Sequence, residues 1–577
     1  MAWSISNSWR VGGRADGTPR RWLDVVTPLL GVLTLVLVMR PYLGPVHDAR
    51  LYMAQALSSL EPGRFARDLH FAYGSQDHFT VFTLGYRYLV ATLGMANGHL
   101  AAVTLGAILW LSGLFAIAWA LFERRDERWF AVTGVVVLCP RFASVDFYKY
   151  GEAFATPRLF AEGLVMAALA LWLRGRPRSC LCLLAAAVAV HPLWAACGVG
   201  LVAVLATLEH QQRLARLLPA AVIGAAICAL ALALAPRISA RYDGAWFEAV
   251  ALHNYFALVS RWGWKDFLQL AATLGVLAVT ARFTSGAERR LAGGALLVTT
   301  VALVVSLLGV DLSRIVLLTN LQPWRALWLA TVLANTFVPI LLMRGVLAPW
   351  PARLLAAGVV LDAITTVYEP PTIAAATIVI VACACAAFAD RWRGPLSRVA
   401  VRSLAVALMA ASAISAVGLF YLSLRLDTGW PLHWARIGIA LGASALIVWA
   451  IRREATAAGG LVALFLLGTS VALDDQRDSW NRFLFDGGSD AGLASFLAGA
   501  GTTFWEGDGG AEALWFRRRQ PSYWSCMQGG EVMFSRPLAM EYSRRQKALT
   551  PLAAFDPDEP CGPGGGVRTT APPDRGR

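Results

Sequence analysis

Charge is what this chain has least of. Only 15% of its 577 residues are Asp, Glu, Lys or Arg, 57% are hydrophobic, and the mean hydropathy is +0.55. Soluble domains carry about 25% charged and about 45–50% apolar residues, so a water-soluble globule is excluded. The signatures of soluble enzymes are missing too. There is no Walker loop, no His-Glu-x-x-His helix, no dinucleotide glycine pattern following a strand and no Gly-x-Ser-x-Gly elbow. Cysteine is scarce in polar sequence: of nine, seven (Cys139, Cys180, Cys182, Cys197, Cys228, Cys383 and Cys385) lie in apolar runs as small core residues. Cys180 and Cys182 point to different helix faces and make a poor metal pair. Only Cys526 and Cys561 stand in polar sequence, where a disulfide can form if that region leaves the cytoplasm.

What is present is a succession of apolar runs separated by arginine clusters. The net charge of +14 therefore reads as topology signal and contact with anionic membrane lipids, not as a nucleic-acid surface. Residues 1–22 are basic and polar and form a cytoplasmic segment ahead of an uncleaved anchor. Leu23 to Val38 is the first span, and the loop from Pro41 to Phe79 faces out. Thr80 to Gly94 carries Arg87 and is too short to cross, so it lies along the outer surface as an amphipathic helix. Leu100–Phe122, Trp129 to about Val145 and Leu159–Leu173 follow as spans. Cys180–Leu208 is too long for one span and splits at His191-Pro192. Leu217–Ala235, Phe267–Ala281 and Leu291–Val310 come next. Ala326–Met343, Leu354–Val367, Thr372–Phe388, Leu404–Leu424, Ile437–Ile451 and Leu461–Leu473 complete the series.

The expected architecture is an all-α polytopic membrane protein with about 13–15 transmembrane helices. It divides into a bundle over 23–474 with its first extracytoplasmic loop at 41–99, a small extracytoplasmic C-terminal domain over 475–556, and a disordered Pro/Gly/Arg-rich tail over 557–577. The charge bias places the protein in the cytoplasmic (inner) membrane with its amino terminus inside and its carboxyl terminus outside.

Chemistry is sought in the outer loops. Asp48 follows the first span in His47-Asp48-Ala49-Arg50-Leu51-Tyr52, at the start of a short helix. A carboxylate there can take a proton from an acceptor hydroxyl, bind a divalent cation, or simply cap the helix. Asp68 is a second acidic candidate. His191, at the break between two helices, is either a substrate contact or a polar break held by neighbours. Glu162, Asn335 and Asp362 lie in or near apolar spans, where ionisable and polar groups are functional hypotheses.

An early Asp in the first aqueous loop, a Tyr four residues on, Asp68 behind Gly-Arg-Phe-Ala-Arg, a surface-lying helix and then many spans together resemble the GT-C superfamily of polyprenyl-phosphate-sugar-dependent glycosyltransferases. The resemblance implies a GT-C-like bundle in which Asp48, or failing it Asp68, serves an acceptor as base. The paired acidic residues of many family members are replaced here by His47-Asp48, which leaves use of a divalent metal ion open. The co-substrate implied is a lipid-linked sugar, and the acceptor a glycan, lipid or protein. His47, Tyr52, Arg158, His191, Arg314, Gln322 and Arg325 are the substrate-binding candidates. Among them the arginines suit a departing lipid phosphate, because Arg offers bidentate donors to it. Two other classes stand beside this one: a transporter or flippase of a lipid-linked or anionic solute, and a non-catalytic membrane scaffold. The absence of a repeat and of many mid-span charges weighs against the transporter.

Overall fold

The computed structural model describes mainly residues 22–344, 430–486 and 501–551, with short internal gaps and a longer one at 210–239. The spans expected at Leu217–Ala235, Leu354–Val367, Thr372–Phe388 and Leu404–Leu424 lie outside the described residues, as do Asp362, Cys561 and the tail.

Regular structure among the described residues is helical, with only isolated bridges such as Tyr42 with Asp475 and Arg141 with Lys149. Among the described residues six helices are long and apolar enough to cross a membrane: Phe82–Leu121, Pro192–Glu209, Trp264–Phe283, Gly286–Leu312, Val316–Met343 and Ala435–Arg452. Leu23–Met39, Pro177–Val190 and Ala457–Ala472 are shorter apolar helices. A helix satisfies its own backbone where no water can, so this is an all-α multi-pass membrane protein.

The first elements are α1 (Leu23–Met39), α2 (Ala49–Leu60), α3 (Leu69–Ala72), α4 (Phe82–Leu121), α5 (Arg125–Val137), α6 (Pro157–Leu173), α7 (Pro177–Val190) and α8 (Pro192–Glu209). At 40 residues α4 is too long for one crossing, since a straight helix of that length would run about 60 Å against a hydrocarbon core of about 30 Å. Gly94 resolves this by adopting φ +79°, ψ 173°. The chain folds back there. The Tyr86 hydroxyl reaches His99 Nδ1 at 2.7 Å across 13 positions, a separation that would be about 20 Å along a straight helix. The surface helix expected up to Gly94 is thus a limb of its own, and a residue without Cβ supplies the bend.

The expected break at His191-Pro192 is also present. A Cβ on Gly198 would lie 3.4 Å from Leu184, so α7 and α8 fold against each other about His191. Helix α6 is the centre of this half, packing on α4, α7 and α8. Its approach to α4 is backbone to backbone: a Cβ on Gly113 would sit 2.3 Å from the Gly163 carbonyl oxygen, and one on Gly163 would sit 2.6 Å from that of Leu109. Small residues at facing positions permit such close packing where lipid offers no hydrophobic drive.

The span expected from Trp129 to about Val145 is shorter than that. Helix α5 stops at Val137, ahead of Pro140, which restricts the residue before it and offers no donor. The carbonyls freed by this early stop are taken up nearby. Arg40, at the end of α1, donates to Val136 O at 3.1 Å and, from Nε, to Gly151 O at 2.8 Å, while the Tyr150 hydroxyl donates to Val135 O at 2.9 Å. These partners keep the α5 terminus from leaving buried carbonyls unpaired.

Residues expected to form a C-terminal domain share their core with the loops. Trp515 and Phe516 pack with Phe65, Phe82 and Tyr86, and Val532 and Tyr542 pack with Tyr242 and Trp246. The Tyr242 hydroxyl donates to Met533 O (2.7 Å) and the Trp246 indole to Val532 O (2.8 Å). Cys526 is disulfide-bonded.

Candidate functional site

The loop after α1 tightens before it enters α2. Gly44 has φ +73° and His47 has φ +50°, so two left-handed residues turn the chain within four positions. For His47 this costs backbone energy that a glycine would not pay, and strain of this kind concentrates where a side chain must be aimed. Asp48 occupies the capping position of α2, yet its side chain makes no capping bond. It turns instead to His47, whose Nδ1 is 3.0 Å from Oδ1, and to Arg158, whose Nη1 is 2.9 Å from Oδ2.

Arg158 stands in the first turn of α6 behind Pro157, a residue preorganised for a helix start. It is 2% exposed. Glu152 holds it from the other side through two oxygens, accepting from Nε at 3.0 Å and facing Nη2 at 2.9 Å, and also accepts from the Thr156 hydroxyl at 2.6 Å. One hydrogen bond from Nε and the close approach of Nη2 hold the guanidinium against Glu152, and its remaining nitrogen, Nη1, faces Asp48.

Arg325 completes the cluster from the other half of the bundle. Gln322 adopts a left-handed φ of +46°, breaking the helix Val316–Leu321 and starting the short 3-10 turn Pro323–Ala326. The Gln322 side-chain oxygen accepts from Arg325 Nε at 2.7 Å. The guanidinium then lies 5.2 Å from the Trp194 ring centroid, 5.5 Å from Tyr148 and 5.7 Å from Trp324. Arg158 is over the same Trp194 at 5.5 Å. One indole therefore carries two guanidinium groups, favourable contacts for cations on an aromatic face. Trp194 is itself anchored, its indole donating to Glu162 Oε1 at 3.0 Å, and Glu162 Oε2 accepts from Gly151 N at 2.8 Å. Unlike Arg158, Arg325 has no carboxylate in contact among the described residues.

Electrostatics follow from this arrangement. Burial raises the proton affinity of the Asp48 carboxyl, but His47, Arg158 and Arg325 outweigh it and hold the group well below the usual carboxylate range. Burial pushes Tyr148 up to about 12, raises Tyr52 and lowers Lys149. Burial, then the charges of Arg325 and Arg158, keeps His191 well below the ordinary imidazole range, as a neutral ring packed 5.6 Å from Trp194. Tyr52 packs edge-on to Phe82 at 5.6 Å, one turn along α2 from Asp48. The site thus joins His47, Asp48, Tyr52, Arg158, His191, Gln322 and Arg325.

Two sequence candidates lie elsewhere. Asp68 is fully buried and caps α3, accepting from His70 N (3.0 Å), Trp515 Nε1 (2.7 Å), Ser522 N (2.8 Å) and Gln528 Nε2 (2.8 Å). Four donors leave that carboxylate fastening the C-terminal residues to the first loop. Arg314 lies 4.1 Å over the Phe247 ring. Sequence reasoning did not single out Glu152, Tyr148 or Trp194 as site residues. Trp194 sits three positions after His191, and that His-Pro-x-Trp spacing was the available signal.

Among the described residues the metal left open by the sequence meets no clustered ligand set. Asp48 faces an imidazole and a guanidinium, and no group of three or more His, Cys, Asp or Glu side chains converges among the described residues. In comparisons with known proteins, no family, curated protein or solved structure matches this chain.

Proposed function

We propose that this protein is a membrane glycosyltransferase of the GT-C kind, moving a sugar from a polyprenyl-phosphate donor to an acceptor hydroxyl on the extracytoplasmic side of the inner membrane. The observation that carries this reading is the meeting on Trp194 of Arg325, from the second half of the chain, with Arg158, which reaches Asp48 of the first loop at 2.9 Å. Arg325 has no carboxylate in contact among the described residues, and its charge is available to the phosphate that leaves as the sugar bond breaks. Arg158 adds a second cation already oriented by Glu152.

A lipid-linked donor also fits the surroundings. A groove of about 480 Å³ opens between the end of α2, the start of α4 and the end of α7, lined by Ser59, Thr80, Thr83, Leu84, Arg87 and Ala189. Phe79, Leu84 and Tyr88 are exposed beside it, as amphipathic segments are at a lipid interface. The disulfide at Cys526 accords with the loop layer lying outside the cytoplasm.

Purified full-length protein, given a panel of radiolabelled polyprenyl-phosphate hexoses and pentoses with a membrane extract as acceptor source, is expected to move label into an acceptor. Failure with every donor would contradict the reading.

A further inference from the structure

We infer that His47 and Asp48 form a catalytic dyad in which His47 Nε2 takes the acceptor proton and Asp48 orients the imidazole. This rests on the glycosyltransfer reading and specifies its proton path.

The geometry separates two roles that the sequence assigns to one residue. Both Asp48 oxygens are engaged, Oδ1 by His47 Nδ1 at 3.0 Å and Oδ2 by Arg158 Nη1 at 2.9 Å. The approach of Oδ1 to Nδ1 is an ion-pair distance without aligned hydrogen-bond geometry; a carboxylate this close favours the imidazole tautomer with its proton on Nδ1, which leaves the Nε2 lone pair as the acceptor. The ring is held on two sides, edge-on to Phe147 at 6.3 Å and tilted against Phe154 at 6.1 Å, while 37% of the side chain stays exposed. The backbone at φ +50° aims it there at a cost, in a position where most residues would avoid that conformation.

The charges around Asp48 argue the same way. Arg158 and Arg325 sharpen its role as a fixed anion and make it a poor proton acceptor, since a base works best with its proton affinity near the working pH. The charged and titratable neighbours of the imidazole are Asp48 in direct contact, Lys149 on the Phe154 ring at 5.7 Å, and, beyond Asp48, Arg158, Glu152 and Arg325. In the step itself the acceptor oxygen forms its bond to the anomeric carbon as the carbon–phosphate oxygen bond breaks. The hydroxyl proton passes to Nε2, and the bonding pair leaves with the polyprenyl phosphate, whose charge meets Arg325. The resulting imidazolium is stabilised by Asp48 and returns its proton to water.

The test uses His47→Gly, because glycine adopts φ +50° without strain and leaves room for free imidazole. In the full-length protein, with polyprenyl-phosphate sugars as donors, turnover is expected to fall about 100-fold or more. Added imidazole should restore part of it, only above the pH at which imidazole is neutral, while donor KM changes little. Full activity of His47→Gly would overturn the proton role, and so would a defect that imidazole lifts at no pH. No transfer by the wild type from any donor would instead overturn the glycosyltransfer reading, and the role of His47 with it.

Discussion

Arg158 meets Asp48 at 2.9 Å with a guanidinium that Glu152 already grips through two oxygens. The carboxylate of the first-loop Asp48 is thus held by a residue two spans further on. Arg158 and Glu152 are 2% and 4% exposed, and losing the Glu152 charge leaves the buried guanidinium with Asp48 as its one carboxylate partner among the described residues. Glu152→Gln is expected to destabilise the protein by about 1–3 kcal/mol, read as a lower thermal unfolding midpoint in detergent, and to reduce transfer. An unchanged midpoint would mean that Glu152 does not hold Arg158.

Arg325 should act on the donor. Arg325→Ala is expected to raise the donor KM about tenfold or more, and Arg325→Lys to recover only part of that, because an ammonium keeps the charge but not the planar fork stacked on Trp194. Equal kinetics for arginine and alanine at this position would remove Arg325 from the site.

The α4–α6 contact predicts a contrast between glycines. Gly163→Ala places a Cβ 2.6 Å from Leu109 O and should cost roughly 1–3 kcal/mol of stability. Gly85→Ala, in the surface limb of α4 with nothing within 4 Å, should be neutral or stabilising by up to about 1 kcal/mol. Thermal unfolding of the two variants side by side checks the pair, and a reversed order would contradict the packing described.

Asp474 supplies a pH dependence of known sign. Burial, outweighing a backbone bond and the charge of Arg436, raises its carboxyl to about 6. A group raised on folding gives stability that is whole below its unfolded value of 3.8 and is lost as pH rises through about 6. Asp474→Asn should therefore stabilise the protein at pH 7 by on the order of 1 kcal/mol, allowing for the solvent that still reaches the group, and should do nothing at pH 3.5. A stability difference independent of pH would contradict this.

Helix positions were legible wherever a break had its own chemical signal. His191-Pro192 and Gly94 both punctuate long apolar runs, and the chain turns at both. The first-loop acid could be found from its place after α1, and Arg325 from its place before a late span. Their meeting could not be read, because it depends on long-range packing through Trp194, which links α8 to the Pro323–Ala326 turn. Asp68 illustrates the converse. In sequence it looks as exposed as Asp48, and only the fold reveals that Trp515, Ser522 and Gln528 arrive from more than four hundred residues away to bury it. The early end of α5 was blurred for the same reason, since Arg40 and Tyr150 supply the donors that make it stable.

The most direct measurement is label transfer from polyprenyl-phosphate sugars by purified wild type, Asp48→Asn and Arg325→Ala, each shown to be folded by its unfolding midpoint. The account predicts transfer by the wild type, a loss of about 10²–10⁴-fold in Asp48→Asn, and a weakened donor interaction in Arg325→Ala. Wild-type turnover in a folded Asp48→Asn protein, or no transfer from any donor by the wild type, would contradict it.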